Sequence, residues 1–298
     1  SSNHVKHLKG GSGMPVIERA VLKWSRVIKP IGKLSNCYMS NISTSGDVAV
    51  AIEFKEEAIS ELMLFNSDGK IAWREYYSFQ ISYPQLSDDG NIITVKRGSG
   101  TLEAYNKRGR ALWTYSVEEG QAIREYKLSR DGKYAIIATS AFSTKNHIIL
   151  LKDGAVEWVK SSRDSVSGTS ISPNNAYIAS TLYYGKIRVT LYTVNGTELW
   201  NTDVGGYPHH VDVSDNGEVL LITYYPSDFF QTFFITKGRV LWARDYCQYA
   251  KFTRSGDRII AVRGRGTSGA KEVIVLNREG EFLWEYQGAY RFAVADNY

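Results

Sequence analysis

Cysteine is scarce in this chain: Cys37 and Cys247 are the two cysteines among 298 residues. They lie far apart in the sequence, and neither has a nearby partner at metal-ligand spacing, so the sequence gives no sign of a disulfide framework or a zinc site. When the repeats described below are aligned, both cysteines fall in a column of mostly small apolar residues. We therefore expect two buried, unpaired and unreactive thiols.

Strong net charge and long apolar runs are absent too. The 36 basic side chains exceed the 31 acidic ones by a formal charge of +5, which is too weak an excess to predict nucleic-acid binding. No apolar run approaches the roughly 18 to 20 residues that cross a bilayer, and the polar N-terminal stretch lacks the apolar core of a signal peptide. These absences favour a cytoplasmic location without a membrane span, and an exported mature chain is the alternative.

Motifs of catalysis are missing as well. The chain contains no G-x-S-x-G elbow, no P-loop and no H-E-x-x-H. Glycine-rich stretches at 96–100 and 264–269 lie between predicted strands rather than before a helix, so we interpret them as hairpin loops and not as phosphate cradles. The adjacent His209 and His210 would point to opposite sides of a strand and could not chelate one metal together. We expect no catalytic residue, no cofactor and no metal site.

What the chain does contain is a repeat. Each of its seven tryptophans ends a recurring pattern, with gaps of 49, 40, 45, 42, 42 and 42 residues, and six of them follow a glycine by four positions. The tryptophans are Trp24, Trp73, Trp113, Trp158, Trp200, Trp242 and Trp284, and the glycines are Gly69, Gly109, Gly154, Gly196, Gly238 and Gly280. Trp24 has Ala20 in place of the glycine. A period of about 40 to 45 residues with four short strands, named a to d, is typical of propeller blades.

The repeat predicts one all-β domain over residues 1–298, a β-propeller of four-stranded antiparallel blades. Six blades are expected at about 36–79, 80–120, 121–163, 164–205, 206–246 and 247–288, and a seventh would combine one strand from 289–298 with three from 1–28. The alternative is six blades plus extra terminal strands. In that case the Gly-Gly-Ser-Gly before Met14 is an expression linker, and residues 1–13 are foreign.

The ending G-x-x-L-W is complete at 109–113, 196–200, 238–242 and 280–284. It resembles the blades of WD40-like and quinoprotein-like (PQQ-like) β-propellers, and the resemblance covers nearly the whole chain. No tryptophan is followed by aspartate as in true WD40 repeats, and the vicinal cysteine pair of quinoprotein dehydrogenases is missing. The resemblance therefore implies the fold and leaves the function open.

In a propeller the a strands line the central channel, and the d–a and b–c loops share one face. The candidate binding residues at the channel mouth and on this face are Tyr83, Arg124, Glu125, His209, His210, Tyr249, Lys251, Arg263, Arg265 and Arg291. From them we expect a non-catalytic scaffold that binds a protein through the loop face. One alternative is an enzyme, small-ligand or glycan site at the channel mouth. Another is association with nucleic acid or an acidic polymer through a basic rim.

Overall fold

The computed structural model describes residues 34–54, 59–141, 145–226, 229–245, 247–253, 255–264 and 272–287. Within these ranges the chain forms 24 β-strands, which pair as six four-stranded antiparallel sheets. This confirms the predicted all-β architecture of four-stranded antiparallel blades. The predicted seventh blade, from 289–298 and 1–28, lies outside the described residues. Nothing in the described ranges forms a helix of the length and apolarity needed to cross a membrane.

Each sheet consists of four strands that follow one another along the chain in the order a, b, c, d. Sheet 1 contains β1 (Leu34–Ile42), β2 (Val48–Phe54), β3 (Ser60–Phe65) and β4 (Ile71–Tyr77); sheet 2 contains β5 (Ile81–Leu86), β6 (Ile92–Arg97), β7 (Thr101–Asn106) and β8 (Ala111–Ser116); sheet 3 contains β9 (Gln121–Leu128), β10 (Tyr134–Ala141), β11 (Asn146–Lys152) and β12 (Ala155–Ser162). Sheet 4 contains β13 (Ser165–Ile171), β14 (Tyr177–Tyr183), β15 (Ile187–Thr193) and β16 (Glu198–Val204); sheet 5 contains β17 (Tyr207–Val213), β18 (Val219–Tyr225), β19 (Phe229–Thr236) and β20 (Arg239–Asp245); sheet 6 contains β21 (Cys247–Phe252), β22 (Arg258–Arg263), β23 (Glu272–Asn277) and β24 (Phe282–Gln287).

The hydrophobic core lies between successive sheets. Strand β10 shows the principle: Ile137 joins a buried cluster with Leu102 of sheet 2, whereas its neighbour Ile136 joins another with Val166 of sheet 4. Similar clusters lie between sheets 1 and 2, sheets 4 and 5, and sheets 5 and 6. Because both faces of strands b and c are covered, these strands are continuous apolar runs in the sequence. The sheets therefore stack face to face in chain order.

The repeated glycine and tryptophan meet at the boundaries between sheets. Gly154, in the c–d turn of sheet 3, has a φ of +84°, and a Cβ added there would lie 2.6 Å from Trp113 of sheet 2. The same arrangement joins Gly109 to Trp73, Gly196 to Trp158, Gly238 to Trp200 and Gly280 to Trp242. Each turn needs glycine for its positive φ, and at Gly154 and Gly280, where the added Cβ would lie within 3.0 Å of the tryptophan, the tryptophan side chain also occupies the space that a side chain would need.

The leucine of the repeat occupies a β-bulge. In all six c–d pairs the register skips the residue directly before the tryptophan, as at Leu199, which lies between the paired residues Glu198 and Trp200. Leu199 is 48% exposed. Each d strand is the outer edge of its sheet, and a bulge on an edge strand disfavours the addition of a further strand. The pattern G-x-x-L-W thus encodes a turn, an edge bulge and a contact between sheets.

The two cysteines differ in their surroundings. Cys247 is buried, as expected, and burial raises the pKa of its thiol to about 11. Cys37 is exposed, so the prediction of a buried thiol is wrong there. The equivalent a-strand residues Ile81 and Val166 are buried by the preceding sheet, and the described residues contain no sheet before sheet 1.

Candidate functional site

The described candidate residues lie mainly in the a strands of the stacked sheets. Since neighbouring strands run in opposite directions, the d–a and b–c connections lie at one end of the sheets, here called the loop face, and the a–b and c–d turns lie at the other. Arg265 and Arg291 lie outside the described residues. The other candidates belong to the a strands β5, β9, β17 and β21, except Arg263, which ends β22.

Bulges interrupt the a strands close to the loop face. In sheets 3 to 6 the a–b register skips one residue each: Arg124, Ser167, His209 and Gln248. In sheet 2 the irregularity includes Tyr83 and Pro84. A bulge changes the direction of the side chains around it, so strict alternation does not hold at these positions. The sequence carries no glycine that would mark most of these bulges, and sequence reasoning missed them.

The adjacent histidines of β17 take different surroundings. His209 is exposed and contacts Phe230 edge-on, with ring centroids 5.2 Å apart. His210 is half-buried and stacks on Tyr249 of β21, with centroids 4.8 Å apart and ring planes 28° apart. Among the described residues no group of three or more histidine, cysteine, aspartate or glutamate side chains could hold a metal ion.

Tyr83 has an unusual backbone conformation at the channel mouth. Its φ of 52° lies in the left-handed region, which is rare for a bulky residue, and the residue is 53% exposed. The single hydroxyl hydrogen of Tyr126 is shared between the carbonyl oxygens of Tyr83 and Thr94, which holds this part of β5 in place. Strained residues that are held by their surroundings concentrate at binding and catalytic sites.

Apolar and aromatic groups of two sheets meet around the Tyr83 ring. The Tyr38 ring of β1 lies 4.6 Å from it, and Lys96 Nζ lies 5.0 Å from its centroid. Met39, next to Tyr38, is 66% exposed. Burial lowers the pKa of Lys96, and the nearby carboxylate of Glu53 opposes this change. We call Tyr38, Tyr83 and Lys96 the mouth platform; Met39 is the next residue of β1.

One polar column of the a strands, which alternation places towards the channel, binds neighbouring sheets together. Asn41 Nδ2 donates to the Leu86 carbonyl at 2.7 Å, and the Leu86 N–H donates to Asn41 Oδ1 at 2.9 Å. Gln85 forms the equivalent pair with sheet 3, donating to the Tyr126 carbonyl at 2.6 Å and accepting from the Leu128 N–H at 2.7 Å. Sequence reasoning missed this role, although the amides at equivalent positions of two successive repeats could have revealed it.

From sheet 3 to sheet 6 the same part of the channel wall carries charge. Lys127 Nζ lies 3.1 Å from Glu125 Oε1. Asp212 accepts hydrogen bonds from the Phe252 N–H at 2.9 Å and from the Ser170 hydroxyl at 3.2 Å. Burial raises the pKa of Asp212, and the positive charge of Lys251 opposes the rise. We call the following residues the channel cluster: Glu125, Lys127, His210, Asp212, Tyr249 and Lys251.

The histidine and tyrosine of the channel cluster are uncharged at neutral pH. Burial lowers the pKa of His210 well below its usual value, and the charges of Lys127, His209 and Lys251 lower it further. Burial also raises the pKa of Tyr249 to about 12. The cluster therefore combines two lysine and two carboxyl side chains with an uncharged imidazole and an uncharged phenol.

Two arginines at the ends of b strands, the candidate Arg263 and Arg97 of β6, are paired with acids. Arg263 Nη2 lies 2.7 Å from Glu272 Oε2 and 3.3 Å from Glu285 Oε2. Arg97 Nε lies 3.1 Å from Glu103 Oε1. These pairs reduce the positive charge that the rim could offer to nucleic acid.

Comparison with known proteins supports the same architecture. The family model described as outer membrane protein assembly factor BamB, a PQQ-type repeat model, matches residues 45–176. No curated protein sequence matches the chain.

Three solved propellers are similar over most of the chain. The β-propeller domain of Cps50 (Swd1) from Myceliophteria thermophila has a TM-score of 0.58 at 9% identity, covering 89% of this chain and 88% of that one. The Dos1 propeller has a TM-score of 0.60 at 14% identity, covering 85% and 70%. BamB from Moraxella catarrhalis has a TM-score of 0.54 at 14% identity, covering 84% and 76%. Together with the six stacked sheets, these similarities show that the chain has the β-propeller fold, and residues 45–176 are similar to a PQQ-type repeat model.

Proposed function

We propose that this chain is a non-catalytic scaffold that binds a protein partner through the loop face of its propeller. The observation that carries the proposal is the mouth platform, where Tyr83 is 53% exposed, and the adjacent Met39 of β1 adds a side chain that is 66% exposed. The family model that matches residues 45–176 is named for an assembly factor of outer membrane proteins, which also supports a role in binding proteins.

The composition of the platform suits a protein interface. Tyrosine offers a large contact area at a low cost in side-chain entropy, and tyrosine is enriched among the residues that dominate binding energy. Methionine adapts to irregular apolar surfaces. The Lys96 ammonium lies over the Tyr83 ring, so the platform also carries one positive charge for an acidic group of the partner.

The platform is built on packed strands. Its tyrosines and Lys96 belong to strands of packed sheets, and the Tyr126 hydroxyl holds the carbonyl of Tyr83. These side chains are already held in place, so ordering them on binding would cost little free energy and would reduce the affinity for a partner only slightly. The left-handed φ of Tyr83 is energetically unfavourable, and the surrounding contacts hold the ring in this position in spite of it.

A pair of substitutions tests the proposal. Tyr83→Gly removes the ring and suits the positive φ, so we expect stability to be kept or raised while partner binding is lost. Met39→Ala should weaken binding without unfolding the protein, because the side chain is exposed. Binding is measured by affinity capture with the immobilised wild-type and variant proteins, followed by titration of each captured protein in purified form.

Leu199→Ala is the matched control. Leu199 is 48% exposed, close to the value for Tyr83, but lies on the outer edge of sheet 4. We expect the Leu199→Ala protein to capture a loop-face partner as the wild type does. The Tyr83→Gly protein should not capture it, and the Met39→Ala protein should capture less of it. Capture of the same proteins in the same amounts by all the variants would contradict the proposal.

A further inference from the structure

A cavity of about 200 Å³ lies between sheets 5 and 6. Its walls include the following residues of sheet 6 and of the end of β20 in sheet 5: Cys247, Ile274, Leu276 and Phe282, and Arg244 and Asp245. Apolar cavities of about 150 Å³ are large enough to hold benzene. The cavity between these sheets therefore has room for a small organic molecule somewhat larger than benzene.

The floor of the cavity is apolar, and its entrance is open to solvent. Ile274 and Leu276 belong to the buried core between the two sheets. Phe282 pairs with Leu276 across β23 and β24 and is 49% exposed. Arg244 and Asp245 are exposed as well. A solute can therefore reach an apolar floor past one positive and one negative side chain.

Arg244 is held in place while part of its guanidinium group stays available. Its Nε and Nη2 donate to the Gly280 carbonyl oxygen at 3.2 and 2.9 Å. Within the described ranges Nη1 forms no hydrogen bond, and no carboxylate pairs with this arginine. A carbonyl oxygen does not neutralise a guanidinium, so the positive charge of Arg244 remains for a ligand carboxylate.

Asp245 brings a negative charge to the same cavity. Its Oδ1 accepts from the uncharged amide Nε2 of Gln231 at 2.9 Å, and Oδ2 has no hydrogen-bond partner in the described part of the chain. The other charged residue of the wall, Arg263, lies 2.7 Å from Glu272 and 3.3 Å from Glu285. These two glutamates exceed the one arginine by one negative charge, which adds to the attraction of Asp245 for a cation.

The charged groups of the wall act on one point of the floor, the thiol of Cys247. Burial has the largest effect on the pKa of this thiol and raises it to about 11. The positive charges of Arg263 and Arg244 oppose the rise, and the negative charge of Asp245 supports it. Charges of both signs therefore lie close to the apolar floor, and the protonated thiol forms part of that floor.

We propose that this cavity binds a free aliphatic α-amino acid, a zwitterion such as leucine. Its carboxylate binds the guanidinium group of Arg244, and its ammonium group binds the carboxylate of Asp245, both through charge-assisted hydrogen bonds. Its side chain covers Ile274 and Leu276. Asp245 would repel a simple carboxylate and Arg244 a simple amine, so charge complementarity favours a ligand that carries both signs. An apolar lining with a few polar groups is usual for small-molecule sites.

Calorimetric titration of the full chain with three ligands tests the need for both charges. Leucine carries both charges, 4-methylpentanoate carries only the carboxylate, and 3-methylbutylamine carries only the ammonium group. We expect saturable binding of leucine and about tenfold weaker binding of each analogue, because each lacks one charge-assisted hydrogen bond. No saturable binding of leucine at millimolar concentrations, or an analogue that binds as tightly as leucine, would overturn the proposal.

Two substitutions assign each ligand charge to its partner. Asp245→Asn keeps an acceptor for Gln231 and removes the negative charge, so leucine should bind about tenfold more weakly while 4-methylpentanoate should bind at least as tightly as before. Arg244→Met should weaken the binding of leucine by a similar factor and should not weaken that of 3-methylbutylamine. Both residues are exposed, so both variants should fold, which thermal unfolding checks. Weaker binding of the wrong analogue in either variant would contradict the assignment.

A filled cavity and a remote arginine locate the site. Ile274 and Phe233 hold equivalent positions in sheets 6 and 5, because each pairs with the residue that follows the tryptophan of its sheet. Ile274→Phe should therefore be compatible with the fold and, by filling the cavity, should abolish leucine binding. Arg239→Met is the control for Arg244→Met, since Arg239 is exposed at the other end of β20. Full leucine binding with Ile274→Phe, or its loss with Arg239→Met, would show that leucine binds elsewhere.

The site is separate from the mouth platform, which belongs to sheets 1 and 2. The leucine titrations use the purified chain alone, so their outcome does not depend on a protein partner. Failure of this proposal would leave the proposed scaffold function untouched, and the reverse also holds.

Discussion

At five boundaries between sheets, a glycine with positive φ lies against a tryptophan ring of the preceding sheet. Two separate costs oppose a side chain at these glycines. A β-carbon in left-handed backbone costs about 1 kcal/mol, and packing an additional group into a filled space costs a further ~1–3 kcal/mol. Single residues of the repeat thus determine how closely neighbouring sheets can approach.

Two glycines of this chain allow the two costs to be measured apart. Gly154 and Gly120 have nearly the same φ, +84° and +82°, but a Cβ at Gly154 would lie 2.6 Å from Trp113, whereas a Cβ at Gly120 meets nothing within 4 Å. We expect Gly120→Ala to lower the free energy of unfolding by about 1 kcal/mol and Gly154→Ala to lower it by about 2–4 kcal/mol. Urea unfolding of the two variants measures the difference. Equal losses would mean that the Trp113 ring moves aside without cost.

At the scale of strands, side-chain amides connect the a strands of neighbouring sheets. Asn41 and Gln85 each satisfy one N–H and one carbonyl of the next a strand. The a strand forms the inner edge of its sheet, and its outward backbone groups would otherwise depend on channel water. The amides therefore replace water-dependent contacts with fixed ones between sheets.

Replacing one amide tests this role. Gln85→Leu keeps much of the side-chain volume but leaves the Leu128 N–H and the Tyr126 carbonyl without their partner. We expect the free energy of unfolding to fall by about 1–3 kcal/mol, the cost of unsatisfied and partly buried backbone groups. Gln231→Leu is the control, because Gln231 Nε2 donates at 2.9 Å to the exposed Asp245. A change of similar size in both variants, measured by urea unfolding, would argue against the connecting role of Gln85.

The sequence predicts the strands well and the details of the site less well, for a physical reason. The alternation of apolar residues and the turn glycines predict four-stranded sheets, because buried strand positions favour apolar residues and turn positions with positive φ favour glycine. The bulges at Arg124 and His209 cannot be recognised from residue type, since the residues that they contain also occur in regular strands. His210 follows the bulge at His209 and Tyr249 follows a bulge at Gln248, so their stacking could not be derived from alternation alone.

The remaining differences between the predicted and the observed surroundings of single residues depend on the neighbouring sheet against which each residue packs. Cys37 and Cys247 share one column of the repeat, yet Cys37 is exposed and Cys247 is buried. The column defines a position in a strand, whereas exposure depends on the sheet that covers it. Similarly, Gln85 was correctly placed in a polar column, but its side chain turns sideways to the next strand rather than into the channel.

At the scale of the whole molecule, the first sheet shows features that a further blade would explain. Ile42 of β1 is 38% exposed, whereas Leu86 and Val213 at the same position of later sheets are 2% and 1% exposed. Gly69 occupies the c–d turn of sheet 1 and is buried, and the repeat assigns Trp24 as its partner. These features fit closure of the ring by 289–298 and 1–28, which stays a prediction.

Two changes near the N-terminus separate seven blades from six. If Trp24 packs on Gly69 as Trp113 packs on Gly154, Trp24→Ala should lower the free energy of unfolding by about 3–5 kcal/mol, as expected for a packed aromatic residue. Trp113→Ala provides the reference value, because its contact with Gly154 lies within the described residues. Thermal and urea unfolding measure both variants.

Deletion of residues 1–13 examines the other half of the closing blade. In a ring of seven blades these residues supply a native strand b, so the deletion should destabilise the protein together with Trp24→Ala. In the six-blade alternative, stray strands contribute little, and both changes should leave unfolding unaltered. A loss with Trp24→Ala and none with the deletion would show that residues 14–28 pack against sheet 1 without a strand from 1–13. The deletion therefore decides whether the closing blade has its full four strands, and Trp24→Ala decides whether there is a closing blade at all.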